Sequence, residues 1–165
     1  MGMADVADKD QADWSVRPNQ IFATSLDYSP ITDDMKDSIL RVVICELLTT
    51  RGLRTLSPKN PDYKGKYEGN QAERDSAYHQ GTVWPWLLGH FAEGYLKIHK
   101  KSGISFIKEL LMNFEEDIDI HGVGSISEVY DGDPPHRPGG TISQAWSVAE
   151  LLRINELIKK YNRIK

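Results

Sequence analysis

The sequence has little cysteine, no long apolar run and no excess of positive charge. One cysteine, Cys45, stands among 165 residues, which excludes an internal disulfide framework. Cys45 falls within an apolar helical pattern, so we expect a small buried side chain and not a nucleophile. No apolar stretch approaches the roughly 20 residues that a membrane span needs. Residues 1–13 lack the apolar core of a secretory signal, which favours a cytoplasmic protein.

Length and charge restrict the class of protein further. A chain of this length suits one domain with a real hydrophobic core, which we expect over residues 14–165. Residues 1–13 are acidic and polar, and we expect a disordered tail there. The net charge is −4 and no basic patch stands out, so nucleic acid is not expected as the main partner.

Apolar periodicity predicts an all-α fold. The clearest stripe repeats every 3.6 residues after a helix cap at Thr32 or Asp33, and we expect Gly52 to end this helix. A second long helix is predicted from Pro85 to about Lys101. Between them lies a long connection that is too rich in tyrosine to be disordered.

The C-terminal half continues the helical pattern. A third helix is predicted over residues 104–118, and a last helix begins near Thr141 or Ser143. We expect the buried side of that last helix to consist of Ala145, Trp146, Val148, Ala149, Leu152, Leu157 and Ile158. Strand-like alternation is limited to residues 125–130.

Residues 74–86 concentrate aromatic and polar side chains. The stretch reads Arg-Asp-Ser-Ala-Tyr-His-Gln-Gly-Thr-Val-Trp-Pro-Trp and holds two of the four tryptophans. Pro85 opens an apolar periodic run, which places the cluster in a loop before a helix, a common location for a binding site. In the alternative interpretation, the tryptophans belong to the core and the histidine is a satisfied buried group.

A second irregular stretch, residues 121–140, is rich in glycine, proline and acidic residues. Its Asp, Glu and His side chains are possible metal ligands, but their spacing matches no calcium or zinc motif, so no metal is expected. Glu128 has Ile126 and Val129 beside it, and an apolar environment would tune its pKa for a role as general base. Alternatively, the stretch is an ordinary turn at Asp131-Gly132 with Glu128 in solvent.

Taken together, the two stretches fit a neutral ring that carries hydroxyl groups. The apolar faces of a sugar stack on aromatic side chains, and its hydroxyl groups pair with Arg, Gln, Asp and His. Hydrolysis of a glycosidic bond needs two carboxyl groups, one to protonate the leaving oxygen and one to activate water or attack carbon. This combination on a helical scaffold suggests an α/α-toroid glycosidase.

Six segments follow one another in an order that is specific as a set. They are residues 17–19, 52–58, 63–67, 74–86, 127–128 and 144–147. Together they resemble the C-terminal part of the glucosidase domain of glycogen debranching enzymes, the amylo-α-1,6-glucosidase family. The resemblance runs from about residue 14 to residue 153, and Tyr-His-Gln-Gly-Thr-Val-Trp-Pro-Trp is its most specific motif.

The resemblance implies the C-terminal portion of an (α/α)6 barrel, an incomplete toroid, that cleaves α-1,6-linked glucose at a branch stub with inversion. Its ligand would be a branched α-glucan such as glycogen or limit dextrin, and no cofactor is implied. Glu128 would be the catalytic general base. The implied sugar-binding residues are Tyr78, His79, Gln80, Trp84, Trp86, Tyr67, Arg17 and Trp146. Arg17 is alternatively a structural ion-pair partner and Trp146 a core residue.

The sequence departs from this family at the general acid. The resemblance implies an Asp in a Trp-Met-Asp segment, and that segment does not occur in the chain. We therefore expect a piece of the enzyme that is inactive alone. Its exposed apolar faces would be covered by the missing N-terminal half of the barrel or by a second copy. The alternative is a non-catalytic α-glucan-binding module or partner subunit. A membrane is not expected as a partner.

Overall fold

The computed structural model describes residues 3–8 and 11–163. The helices are α1 (Ile21–Ser25), α2 (Asp33–Glu46), α3 (Gln71–Ala77), α4 (Leu87–His99), α5 (Ile104–Met112), α6 (Glu115–Ile120) and α7 (Ala145–Arg163). Short 3-10 helices cover Pro18–Gln20 and Lys100–Gly103. The strands are β1 (Val6–Asp8), β2 (Gln11–Asp13), β3 (Leu48–Thr49), β4 (Gly52–Arg54), β5 (Val83–Trp84), β6 (Val129–Tyr130) and β7 (Pro138–Gly139).

The helices agree with the predicted class, but a five-stranded sheet does not belong to an all-α fold. Its order is β3-β4-β5-β6-β7, and every neighbouring pair is antiparallel. The pairings Leu53↔Trp84 and Val83↔Tyr130 bring the two loop regions side by side. The alternation at residues 125–130 marks the stretch where β6 lies, but the other strands have two or three residues each and are too short to display a pattern.

The prediction that Gly52 ends the first long helix is wrong. Thr32 caps α2 as expected, with its Oγ1 accepting from the Met35 N–H at 3.4 Å, but the helix ends at Glu46. Gly52 instead lies in β4 with φ of 143°, where a β carbon would stand 2.6 Å from the Trp84 carbonyl oxygen. The glycine therefore permits the close approach of β4 and β5.

Three further local predictions need correction. Cys45 is exposed and does not lie in the core. The predicted third helix is divided into α5 and α6. The long connection after α2 contains α3, whose capping box joins the Asn70 and Glu73 side chains to each other's backbone N–H groups.

Helix α4 lies at the centre of the packing and contacts α1, α2 and α7. Phe91 and Leu96 of α4 are fully buried in the core. The buried side of α7 was predicted only in part: Leu157 and Ile158 are buried as expected, whereas Trp146 is 47% exposed and Leu152 is 63% exposed. The α7 residues that are buried are Ser147, Ile154, Leu157, Ile158 and Tyr161.

The N-terminal segment predicted to be disordered contains β1 and β2, which pair antiparallel from Val6↔Asp13 to Asp8↔Gln11. Residues 1, 2, 9 and 10 of that segment lie outside the described residues. Among the helices that the structure describes, none combines the length and the apolar character that a membrane crossing requires.

Candidate functional site

Glu128 stands directly before β6 and is held at both carboxylate oxygens. The Tyr78 hydroxyl donates to Oε1, and the Thr141 backbone N–H donates to Oε2 at 2.8 Å. The Glu128 backbone N–H in turn donates to the Thr141 carbonyl at 2.9 Å. Gly140 makes room for this arrangement, because a β carbon there would lie 2.6 Å from Oε2. The carboxylate is partly buried, so the interpretation of Glu128 as a freely solvated turn residue does not hold.

Two opposing effects set the pKa of Glu128. Partial desolvation raises it, while the hydrogen bonds from Tyr78 and Thr141 favour the charged form and outweigh desolvation. The pKa of Glu128 therefore lies below its ordinary value. The group is an ionised acceptor at neutral pH, which is the state that a general base requires.

Tyr78 is fixed from several sides. It is the C-cap of α3, and its carbonyl accepts from the Trp84 indole N–H at 3.1 Å. Its ring centroid lies 4.6 Å from that of Trp84 and 5.7 Å from that of Tyr67. Desolvation and the Glu128 carboxylate raise the pKa of Tyr78, so its hydroxyl keeps the proton that it donates to Glu128.

The aromatic side chains predicted from the sequence do come together. His79 stacks on Trp84 at 5.7 Å with an interplanar angle of 8°, and the Trp84 ring lies 5.8 Å from Trp146. The Trp86 ring lies 6.1 Å from Trp146. Their environments differ, since Trp84 is only 5% exposed and supports Tyr78 from within the core. Trp146 is open to solvent, which is contrary to a core role.

Arg17 and Gln80 hold the loop rather than point at Glu128. The Arg17 guanidinium donates to the His79 carbonyl at 2.7 Å and to Gln80 Oε1 at 2.9 Å. It also donates to the Thr55 carbonyl at 3.2 Å and lies 3.6 Å from the Asp5 carboxylate. These contacts favour the structural role for Arg17 that the sequence left open, and they give the same role to the Gln80 side chain.

Asp131, which the sequence offered as a turn residue or a possible metal ligand, has a structural role in the site region. It is 4% exposed, and its Oδ1 accepts from the Tyr67 backbone N–H at 2.8 Å. Lys66 lies 3.9 Å from its other oxygen. Asp131 thus fixes the loop that brings the Tyr67 ring against Tyr78. Tyr67 is 64 residues from Asp131 along the chain, so no local pattern signals this role.

Two other residues were missed, Phe22 of α1 and His90 of α4. The Phe22 ring lies 6.1 Å from Trp86 and 4.7 Å from His90. Both are ordinary members of helical sequences, and only the packing of α1 on α4 brings them to the tryptophans. No group of three or more His, Cys, Asp or Glu side chains suited to a metal ion occurs within the described ranges 3–8 and 11–163.

Comparison with known proteins connects this geometry to a family. The profile of the family described as Amylo-alpha-1,6-glucosidase matches residues 2–153. A glycogen debranching enzyme of Saccharomyces cerevisiae is 30% identical over 102 residues, which is 57% of this chain. The matched part is 6% of the yeast protein, so the chain is similar to a small portion of that relative.

Proposed function

Because the chain belongs to the amylo-alpha-1,6-glucosidase family, we propose that it is the C-terminal portion of an (α/α)6 glucosidase domain. Its reaction is the hydrolysis of an α-1,6-linked glucose at a branch stub of glycogen or a related α-glucan. The observation that carries this proposal is the Glu128 carboxylate, which is kept ionised by Tyr78 and Thr141 beside a group of aromatic rings.

In this proposal Glu128 is the general base. Its carboxylate takes a proton from water as the water oxygen attacks the anomeric carbon and the glycosidic C–O bond breaks. The leaving oxygen needs a proton from a second carboxyl group, which we assign to a part of the domain outside this sequence. Inverting enzymes separate the two carboxyl groups by about 6.5–9.5 Å to leave room for the water.

The neighbouring residues divide between sugar contact and support. In this proposal Tyr67, Tyr78 and His79 contact the glucose, while Trp84, Arg17 and Gln80 hold them in position, a division supported by their contacts with one another. The Tyr78 hydroxyl proton is committed to Glu128, so this oxygen offers a sugar only an acceptor. We therefore assign to Tyr78 a sugar hydroxyl that acts as donor.

The test is glucose release from branched limit dextrin by this chain together with the remainder of a glucosidase domain. Glu128→Gln keeps the shape of the side chain but cannot accept the proton, so the rate is expected to fall by about 10²–10⁴. Glu115→Gln, at an exposed position of α6, is the matched control and should retain the parent rate. Full activity of Glu128→Gln would contradict the assignment of Glu128 as the general base.

The stereochemistry of the first product tests the mechanism separately. Inversion at an α-linked glucose gives β-glucose, which proton NMR distinguishes from the α anomer before the two equilibrate. Initial release of α-glucose would contradict the inverting mechanism. Maltooligosaccharide binding without any glucose release from the complemented domain would instead support a non-catalytic glucan-binding module.

A further inference from the structure

Helix α6 contains a buried acid that the proposed mechanism does not use. The helix reads Glu-Glu-Asp-Ile-Asp-Ile, and its central acid, Asp117, is only 6% exposed. The other acidic residues of the helix are open to solvent, namely Glu115, Glu116 and Asp119. A carboxylate taken out of water costs free energy unless it is paired and hydrogen-bonded. The partners of Asp117 therefore indicate what this carboxylate holds in place.

Asp117 lies between a tyrosine and an arginine. The Tyr130 hydroxyl donates to Oδ2, and Arg51 Nε lies 3.9 Å from Oδ1. The Arg51 guanidinium also donates to the Asn113 carbonyl and lies 5.9 Å from the centre of the Phe114 ring. That ring centre lies 6.4 Å from the centre of the Tyr130 ring. We call Arg51, Phe114, Asp117 and Tyr130 the Asp117 cluster, which joins the turn between β3 and β4 to α6 and β6.

Tyr130 connects the Asp117 cluster to the general base. It follows Glu128 by two residues, belongs to a strand of only two residues, and is fully buried. A strand this short makes few hydrogen bonds to its neighbours, so side-chain contacts contribute to fixing its position. The hydrogen bond from Tyr130 to Asp117 is therefore one of the contacts that determine where Glu128 lies.

The two donors to Glu128 depend on β6 in different ways. Thr141 is also joined to Glu128 through the backbone, since its carbonyl accepts from the Glu128 N–H at 2.9 Å, so this donor moves with the base. Tyr78 belongs to a different element, because it is the C-cap of α3 and its carbonyl accepts from the Trp84 indole. A displacement of β6 would therefore break the hydrogen bond from Tyr78 and keep the one from Thr141.

We propose that Asp117 is a positioning residue for the general base: by accepting from Tyr130 it holds β6 where Glu128 reaches the Tyr78 hydroxyl. The catalytic consequence of this inference rests on the proposed function, whereas the position of Glu128 can be measured without any reaction. If the Asp117 cluster only stabilised the attachment of α6, its loss would leave Glu128 unaffected.

Tyr130→Phe tests the inference, because it keeps the buried ring, removes the hydroxyl and changes no charge. The pKa of Glu128, measured by carbon-13 NMR titration of labelled glutamate carboxyl groups in the full chain, is expected to rise because Glu128 loses a donor. Asp117→Leu should have the same effect, and Asp117→Asn, which retains an acceptor oxygen, should stay close to the parent. Loss of a negative charge alone would lower the pKa of Glu128, so a rise reports the lost position.

The matched control is Ile39→Val, a substitution in the core at a residue of α2 that is 1% exposed. It disturbs packing outside the Asp117 cluster and should leave the titration of Glu128 unchanged. Should Asp117→Leu fail to fold, Tyr130→Phe decides the question, because it retains the ring that fills the core.

The double variant Tyr78→Phe/Tyr130→Phe tests the route of the effect. If the Asp117 cluster acts through Tyr78, the pKa of Glu128 rises no further than in Tyr78→Phe alone, whereas independent effects would add. An additive rise would overturn the inference. So would a Glu128 pKa in Tyr130→Phe that equals that of the parent.

Kinetics of the complemented domain separate this inference from the proposed function. Tyr130→Phe should lower kcat by about tenfold to a hundredfold and change KM little, because misplacement of the base affects the chemical step. The acidic limb of its activity profile should move to higher pH. Absence of glucose release by the parent domain would contradict the proposed function and leave the NMR result standing. An unchanged pKa of Glu128 in an active domain would contradict the role of Asp117 alone.

Discussion

At the level of single residues, the Glu128 carboxylate shows how two donors outweigh the cost of partial burial. Desolvation alone would raise the pKa of Glu128 above its ordinary value. The hydrogen bonds from the Tyr78 hydroxyl and the Thr141 N–H lower the pKa of Glu128 by more than desolvation raises it. A group with a lowered pKa adds stability above its ordinary pKa and loses it as the pH falls through the lower, folded-state value.

Tyr78→Phe removes one of these donors and leaves desolvation in place, so the pKa of Glu128 should rise. The measurement is a carbon-13 NMR titration of the labelled glutamate carboxyl groups in the isolated chain. The acidic limb of the activity profile of the complemented domain should move to higher pH in parallel.

Tyr63→Phe is the matched control for that titration. The Tyr63 hydroxyl donates to Asp133 at 3.0 Å and does not contact Glu128, so its loss should leave the titration of Glu128 unchanged. An unchanged Glu128 pKa in Tyr78→Phe would contradict the role of the tyrosine hydroxyl in lowering that pKa.

At the level of elements, α3 is short and depends on its cap. Asn70 Oδ1 accepts from the Glu73 N–H at 3.1 Å, and the Glu73 carboxylate accepts from the Asn70 N–H at 2.7 Å. Helices of this length are not stable by propensity alone, so the cap and the tertiary contacts decide whether α3 forms. Because Tyr78 is the C-cap of α3, the order of this helix controls the donor to Glu128.

Asn70→Ala should lower the free energy of unfolding by about 1 kcal/mol, because the Glu73 N–H loses its partner. Urea denaturation followed by circular dichroism measures the change. Gln71→Ala, an exposed substitution one residue further on, should leave the stability within about 0.5 kcal/mol of the parent. Equal losses in the two variants would show that the capping box contributes nothing specific.

The elements also show what a sequence can and cannot predict. The cap of α2 at Thr32 and the long stripes of α2, α4 and α7 were recognisable because helical periodicity repeats over several turns. Of the strands β3 to β7, β6 lies in the stretch 125–130 that showed strand-like alternation. The others gave no such pattern, because each has only two or three residues. Trp146 was wrongly assigned to the buried side of α7. Helical periodicity indicates which side of a helix is apolar, but it does not indicate that an apolar residue beside a site is exposed.

The site shows the same limit. The motif order pointed to Glu128 and to the aromatic rings that the fold gathers near it. The supporting roles of Asp131 and Arg17 depend on contacts made across more than sixty residues in each case. Such contacts form only in the folded chain, and no spacing of residues in the sequence indicates them.

At the level of the whole molecule, buried and partly buried tyrosines make the free energy of unfolding depend on pH in the alkaline range. Desolvation and nearby carboxylates raise the pKa of Tyr63 to about 12 and also raise those of Tyr78 and Tyr130. A raised pKa means that the stabilising contribution is complete below the unfolded-state value near 10 and is lost as the pH rises through the folded-state value. The free energy of unfolding should therefore fall above about pH 10.

Tyr130→Phe should make this fall less steep, by up to about 1.4 kcal/mol per pH unit, because one buried ionisation is removed. Urea denaturation between about pH 9 and 12 measures the slope. The variant should also be less stable at neutral pH, since Asp117 loses the hydroxyl of this fully buried tyrosine. Tyr28→Phe, at a fully exposed position, should keep the parent slope. If the free energy of unfolding falls with pH as steeply in Tyr130→Phe as in the parent, ionisation of Tyr130 does not contribute to the fall.

The substitutions that position 140 tolerates depend on which side chain occupies position 128. The φ of 67° at Gly140 and the carboxylate oxygen 2.6 Å from an added β carbon forbid a side chain while Glu128 occupies this place. Gly124 has a similar φ of 83°, but an added β carbon there would meet nothing within 4 Å. Loss of the glutamate at position 128 would remove the steric part of the constraint at 140, while the positive φ would still disfavour a side chain there, as it does at 124. Across related sequences, a side chain at 140 should therefore be rarer where residue 128 is glutamate than where it is not.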